Sequence, residues 1–528
     1  MNRELKSWER WTFGSVAGLV AAAAGLAAAE LTSAASERLQ SPVLDVGDRV
    51  VDGVPNSIKT LAIDWFGTND KLALLTGIGI VLGLYAAVLG VFALTRFWRL
   101  AIAGAAAFGL VGAYASQSSR RPAPWWAVAP SIAGGLVAAT ALLALRQVLL
   151  GRHSTTWNAR DEATPAPPEN GASGSVDRRR FILVTGATAA GALAIGTTGR
   201  ALAARSDVAD QRRGLRLPPP RRPVSPVASG ASAGAAGVSP FVTPNDDFYR
   251  IDTALTVPRV SIDSWELAVG GLVARPLTLS FAELISREIV EADITLTCVS
   301  NEVGGKLIGN ARWLGVRLDD LLDEAGIDPA ADQIVGRSVD GYTCGFPVTA
   351  LDGRNALVAI GMNGEPLPLE HGYPARLIVP GLYGYVSATK WLTEIELTTF
   401  DAFDQYWVRR GWVDDAPIKV QSRIDTPKGL AKISAGTVAI AGVAWAQTRG
   451  IERVDVQIDD GEWIEARLAA EHSADTWRQW SFSWDARPGR HTIRVRATEA
   501  GGAIQTDERS EPFPSGATGQ HQIVVIVE

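Results

Sequence analysis

Two thiols and five imidazoles are the soft and borderline metal ligands of this 528-residue chain. No CxxC or CxxCH pair is present to build a zinc, iron–sulfur or c-type haem site, and two cysteines make no disulfide framework. Cys298 ends the β-like run Asp293-Ile294-Thr295-Leu296-Thr297 and opens the polar turn Val299-Ser300-Asn301-Glu302-Val303-Gly304-Gly305. A thiol at the end of a strand is exposed enough to act as a soft ligand, yet no second cysteine or local histidine completes a protein-built site. One protein ligand suits a metal that arrives with most of its own coordination. The alternative, a buried inert thiol, is the expectation for Cys344. His153, His371, His472, His491 and His521 fall outside every apolar span, so no haem held by two histidines is expected in a membrane bundle.

The chain that must position Cys298 changes character along its length. Four stretches are long and apolar enough to span a bilayer: roughly Trp11 to Leu31, Leu72 to Leu94, Leu100 to Ala115 and Trp125 to Leu150. Residues 1–150 are therefore expected as four transmembrane helices. Arg3, Lys6 and Arg10 before the first, Arg96 and Arg99 between the second and third, and Arg146, Arg152 and Arg160 after the fourth put both ends on the cytoplasmic side. Residues 151–177 read as a cytoplasmic linker. Residues 178–204 begin Arg178-Arg179-Arg180-Phe181 and continue as an Ala/Gly-rich apolar run, so they read as a twin-arginine-like export signal or a fifth transmembrane helix. Both readings place the chain beyond about residue 205 outside the membrane.

Residues 205–239, rich in Pro, Arg, Ser, Ala and Gly, are expected as a flexible tether. Over 240–410 short apolar runs such as Trp265 to Val269 and Ala375 to Val379 alternate with helix-like pieces. Ser280 to Ile285 opens with a serine–glutamate capping box, and Leu318 to Ala325 is a second piece, so the class is α+β. Within 411–528 period-two strands dominate (Thr437 to Ala444, Val454 to Ile458, Trp480 to Trp484, His491 to Ala497, Gln522 to Val527), which argues for an immunoglobulin-like β-sandwich. A net charge of −6 without a basic, aromatic-interleaved block excludes a nucleic-acid partner.

From about Pro240 to Glu528 the sequence resembles the sulfite oxidase family of molybdopterin-dependent oxidoreductases. The resemblance is carried by Thr295-Leu296-Thr297-Cys298-x-x-Asn301, by Gly309-Asn310-Ala311-Arg312-Trp313, and by Met362-Asn363-Gly364-Glu365-Pro366-Leu367-Pro368. It continues through His371-Gly372-Tyr373-Pro374-Ala375-Arg376 and Lys390-Trp391-Leu392. It implies a molybdenum–molybdopterin cofactor with Cys298 as the metal ligand. It also implies cofactor contacts at Tyr249, Asn301, Asn310, Arg312, His371, Arg376, Ser387 and Lys390. Arg376 and Lys390 are chemically apt for a phosphate, as a guanidinium and an ammonium. Asn245 to Asp252 resembles the family segment whose arginine faces the substrate anion, which gives that part to Arg250. Two departures stand out: Asp252 replaces a common histidine, and Trp412 takes the catalytic position of an active-site tyrosine.

The implied chemistry is oxygen-atom transfer on a small sulfur oxyanion of the sulfite type, with S-oxide reduction as the alternative. With no haem-binding segment in the chain, the electron partner would be external, a cytochrome c or a membrane redox protein. The family also implies a homodimer through the C-terminal domain. A cofactor-free membrane-tethered scaffold is the reading from outside enzymology, and it leaves Cys298, His371, Arg376 and Lys390 without a purpose.

Overall fold

Apolar runs free of internal charge satisfy their backbone most simply as helices, and the N-terminal part of the chain follows that rule. The computed structural model describes residues 6–36, 39–55, 58, 65–66, 70–121, 123–150, 178–203 and 208–528, and divides into two units, Met1–Asp207 and Val208–Glu528. The first holds α1 (Ser7–Ser33), α2 (Pro42–Gly53), α3 (Asp70–Ala93), α4 (Trp98–Gln117), α5 (Ala129–Leu150) and α6 (Arg178–Ala203). Four helical segments, Ser7–Ser33, Lys71–Ala93, Trp98–Gln117 and Trp125–Leu150, are long and apolar enough to cross a membrane. The apolar part of α6, Phe181–Gly196, is shorter than these, and the expected linker 151–177 lies outside the described residues.

Glycine sets the closest helix crossing in the first unit. A Cβ on Gly18 of α1 would lie 1.9 Å from the Ala86 carbonyl oxygen, and one on Gly90 of α3 would lie 2.0 Å from that of Gly14. Only hydrogen fits there, which is how apolar helices gain dispersion contact where lipid and side chain are equally greasy.

In the second unit, α7 (Val208–Gly214) leads into two five-stranded sheets. One has the order β2 (Leu277–Ser280), β1 (Glu266–Gly271), β10 (Leu392–Thr398), β5 (Gln333–Ser338), β6 (Thr343–Pro347). The other runs β3 (Ile289–Thr297), β4 (Ile308–Arg317), β7 (Leu357–Met362), β8 (Glu365–Pro366), with β9 (Arg376–Ile378) also on β7. The expected helices are present as α8 (Phe281–Ile285), whose Ser280–Glu283 capping box is formed in both directions, and α9 (Leu318–Ala325). Leu321 and Leu322 of α9 and Ile334, Phe346 and Leu377 of the strands share one core.

The stretch expected to be a loose tether is packed from Val208 onward. Arg212 donates to the carbonyls of Leu367 and Pro366, both at 2.7 Å, and Arg221 N–H donates to Ile289 O at 2.8 Å. Arg222 bridges Val290 in parallel, and Ser239 N–H reaches Asp425. Composition misled here because the segment buries little of its own. It lies along the edge of β3 and spends backbone hydrogen bonds instead of apolar side chains.

The sandwich begins at β11 (Gln421–Thr426). Residues 411–418 still pair with the α+β domain, through Ile418 N–H to Gly381 O and Tyr383 N–H to Ala416 O, so the expected boundary at 411 falls too early. One sheet has the order β11, β13 (Gly436–Trp445), β17 (Arg478–Ala486), β16 (Arg467–Leu468). The other has β12 (Lys432–Ile433), β19 (His521–Val527), β18 (Gly489–Glu499), β14 (Ile451–Ile458), β15 (Ile464–Glu465). Ile440, Trp480, Val454 and Val495 fill the space between them. The sandwich also grips β3 from outside: Thr295 N–H donates to Asp475 O at 3.0 Å, Gln447 Nε2 donates to Thr295 O at 3.0 Å, and Trp477 N–H donates to Thr295 Oγ1 at 2.8 Å.

Candidate active site

Cys298 sits one residue past β3, at the wall of a cleft of about 780 Å³ of empty space. Its N–H donates to Leu307 O at 2.9 Å and its carbonyl accepts from Asn301 N–H at 3.0 Å, so the turn predicted from the sequence is closed around it. Burial pushes the thiol up, with hydrogen bonds from Ser300 pulling the other way. Were Cys298 to hold a metal, it would do so as the thiolate, so loading would release a proton.

His371, Arg376 and Lys390 line the same cleft. Gly372, at φ +109°, lets the turn between them fold tightly: a Cβ there would lie 3.0 Å from that of Lys390 and 3.1 Å from that of Arg376. Arg376 is 5 % exposed; its guanidinium donates to His371 O at 3.0 Å and to Ala388 O at 3.4 Å, and Nε has no hydrogen-bond partner. No carboxylate pairs with it among the described residues, and burial brings it down to about 10. A buried cation held by two carbonyls and the face of the Trp313 ring, 5.2 Å away, with no anion beside it, is an unfinished site that an incoming anion completes. Lys390 Nζ donates to Asp252 Oδ2 at 2.9 Å and Glu370 O at 3.1 Å, and burial holds it down at about 8 against the pull of Asp252. Beside it, Trp391 adopts a left-handed φ of 50°, backbone strain of the kind found at working sites.

Tyr249 lines the cleft as expected, its hydroxyl pushed far up by burial, then by Cys298. The other expected residues do not line it. Asn301 Oδ1 accepts from Leu307 N–H at 2.8 Å, and Asn310 bridges Thr295 Oγ1 and Phe241 O; both brace the strand–turn junction. Arg312 makes two 2.9 Å bonds to Asp293, whose carboxylate His472 also touches at 2.8 Å. Ser387 Oγ caps the carbonyls of Leu382 and Tyr383. Arg250, 38 % exposed at its side chain, is bound to Asp252 Oδ2 at 2.7 Å. Trp412 packs on Tyr385, Trp407 and Phe513 behind the wall. Cys344 is fully buried and accepts from Thr389 Oγ1 at 2.8 Å, as an inert thiol would.

Sequence reasoning missed Ser338, Asp340, Tyr342, Tyr385 and Trp407, all of which line the cleft. Trp407 heads the stretch Trp407-Val408-Arg409-Arg410 that precedes Trp412 in the family-like segment, and Tyr342 is an aromatic in the Asp340-Gly341 turn before β6, whose hydroxyl donates to Tyr385 O at 2.7 Å.

Two imidazoles are held neutral by burial first and neighbouring cations second: His371, whose Nε2 donates to Asn245 O, and His521, whose Nδ1 accepts Ile424 N–H, both near 4. Unfolded, they would protonate near 6.5, so the stability they bring is complete above that pH and is lost as pH falls toward 4. The upper bound is about 3 kcal/mol per imidazole. Urea unfolding at pH 7 and pH 5 should show this fall, and His521→Gln should remove about half of it. An unchanged pH dependence in that variant would contradict the assignment.

The family described as oxidoreductase molybdopterin binding domain matches residues 254–407, and the bacterial Ig domain family matches residues 421–495. Human mitochondrial sulfite oxidase is 30 % identical over 317 residues, 51 % of this chain and 58 % of that protein. The chain thus spans somewhat over half the length of the curated sulfite oxidases it matches first. An uncharacterized oxidoreductase of Bacillus subtilis (strain 168), YuiH, is 34 % identical over 148 residues, 28 % of this chain and 72 % of that protein. Among solved structures, the sulfane dehydrogenase SoxCD from Paracoccus pantotrophus gives a TM-score of 0.48 at 22 % identity, covering 60 % of this chain and 94 % of that one.

The cleft fits the cofactor of such enzymes. One thiol is set for the metal, and the Arg376 guanidinium, with an orphaned Nε, together with Lys390 is set for the phosphate of the pterin. The cofactor is molybdenum–molybdopterin. With Cys298, His371, Arg376 and Lys390 of the cleft inside the matched segment and the Bacillus oxidoreductase covered over most of its length, the chain belongs to the sulfite oxidase family of molybdopterin-dependent oxidoreductases.

Proposed function

We propose that this oxidoreductase transfers an oxygen atom to or from a small sulfur compound outside the cytoplasmic membrane, and exchanges the electrons with an external one-electron carrier. The observation that carries this reading is the meeting of Cys298, His371, Arg376 and Lys390 on one cleft although they arrive from separate segments. The bound molybdenum centre supplies the two-electron oxygen exchange. The chain's own residues bind and orient: Cys298 offers a ligand, and Arg376 and Lys390 hold the phosphate. His371 stays neutral, with Nε2 fixed on Asn245 O and Nδ1 left as an acceptor. Trp391 and Trp407 keep water off the walls.

Sulfite is the substrate suggested by the named relatives. A neutral S-oxide is favoured instead by one observation, the Asp252 carboxylate in the cleft wall. The four apolar helices anchor the chain with both ends cytoplasmic, and the Arg178–Ala203 helix, bearing the twin-arginine-like segment, carries the catalytic unit across. A cytochrome c or membrane redox protein takes or supplies electrons, and the sandwich serves as a dimer surface.

Full-length protein made in a host that synthesises molybdopterin should contain molybdenum and pterin near one per chain. Folded protein with neither would overturn the proposal. Protease added to intact spheroplasts should cleave within 208–528 and spare the loop at Arg96; the reverse pattern would invert the orientation.

A further inference from the structure

We infer that the helical bundle of the first unit binds an isoprenoid quinone, with the Ser131 hydroxyl donating to one of its ring carbonyls. The inference goes beyond the proposed function, in which these helices serve as an anchor. Its basis is a cavity of about 700 Å³ between α1, α3, α4 and α5, with Pro42 of α2 at one end. Ser41, just before that proline, donates from Oγ to Glu30 Oε1 at 2.5 Å and so ties α2 to the end of α1.

Ala21, Ala22, Leu82, Leu89, Phe108 and Leu142 give the cavity apolar walls, and no charged residue is among the described residues that line it. Along α1 the lining runs from Gly18 to Ala29, about 16 Å at the helical rise, so the space is drawn out along the helices. Such a lining turns away hydrated solutes and suits a molecule dissolved in the lipid phase.

Two side-chain hydroxyls line it. Tyr85 spends its own on Gly104 O at 3.1 Å. Ser131 does not: the residue is 4 % exposed and its Oγ has no hydrogen-bond partner. Elsewhere in the bundle Thr32, Ser116, Thr140 and Thr188 donate to a carbonyl three or four residues earlier, the ordinary way a helix satisfies a hydroxyl in apolar surroundings. Ser131 Oγ points instead toward Gly112, where an added Cβ would lie 2.7 Å from it and 3.3 Å from that of Pro42. A buried donor left unpaired is costly, and a ligand carbonyl placed there removes the cost.

An acyl chain fills the apolar length but brings no acceptor, and a phospholipid brings its ester carbonyls only beside a charged head group that this lining cannot solvate. A quinone joins an apolar tail to a neutral ring bearing carbonyls. It also has a use in an oxidoreductase: with two electrons from the reduced centre of the enzyme and two protons, its two C=O groups become the C–OH groups of the quinol. Asp45, one turn beyond Pro42 on α2 and 4 % exposed, is a buried acid near that end. Burial pushes its carboxyl up to about 7, with Arg121 pulling the other way, so it can hold or release a proton near neutral pH.

The test uses full-length protein in phosphatidylcholine nanodiscs, photolabelled with an azido-ubiquinone and competed with decylubiquinone or with dioleoylglycerol. In the wild type the label should map to α4 or α5 near Gly112 and Ser131, and decylubiquinone but not dioleoylglycerol should displace it saturably. Ser131→Ala, which keeps the packing, should raise the half-displacing decylubiquinone concentration about tenfold. Ala22→Leu, which fills the cavity, should lose the label while the protein stays monodisperse. Label outside the bundle, equal displacement by dioleoylglycerol, or wild-type behaviour in both variants would overturn the inference. Binding is read without turnover, so a failure of oxygen-atom transfer would leave this result standing.

Discussion

Cys298→Ser should lower turnover by roughly a thousandfold or more while pterin content stays near that of the wild type. A hydroxyl is a hard, poorly acidic replacement for a thiolate, and the metal's electronic tuning depends on the sulfur. The contacts proposed for the pterin lie elsewhere, on Arg376 and Lys390, so the cofactor should still be retained. The fold should not move, because Cys298 is fixed through its own backbone: its N–H to Leu307 O and its carbonyl to Asn301 N–H. Metal and pterin determination beside a steady-state assay separates the two effects. Full activity in this variant would remove Cys298 from the site.

Arg376→Met should do the opposite, emptying the cofactor site while sparing or raising the stability of the empty protein. The guanidinium is a buried cation with no carboxylate partner, so the chain without cofactor bears its desolvation cost with little return. With cofactor present, the charge-assisted bonds to phosphate are lost; roughly 3 kcal/mol corresponds to about a hundredfold weaker binding. Pterin content below about a tenth of wild type, with a cofactor-free melting temperature equal to or above wild type, is the expected pair of results. Normal pterin content would show that Arg376 does not hold the phosphate. Lys390→Met should differ, because it strips Asp252 of one of its two cations and so destabilises the empty protein as well.

What could be read from the sequence depended on whether the signal was local. The apolar spans, the capping box at Ser280 and most strands of the sandwich announce themselves through periodicity over a few residues. The first strand, Gln421–Thr426, was missed because its residues are polar yet mostly buried. Ser422 pairs with Gln505 and Arg423 with Asp425, so hydrogen bonds do there what apolar contact does elsewhere. At the site, motif membership found Cys298, Tyr249, His371, Arg376 and Lys390. It did not separate them from Asn301, Asn310 and Ser387, which lie in the same motifs but brace the backbone, or from Arg312, which pairs with Asp293. Asp340, Tyr342 and Trp407 reach the cleft from loops distant in sequence, and a register of neighbours does not show where such loops converge.

Thr295 shows how the α+β domain and the sandwich are joined. Its N–H, carbonyl and hydroxyl are all satisfied by Asp475, Gln447 and Trp477 of the sandwich, three residues before the thiol. The immunoglobulin-like module is therefore no interchangeable bead on the chain. Trimming it away, or grafting on a foreign one lacking those three partners, would bare the outer margin of the strand that leads into Cys298.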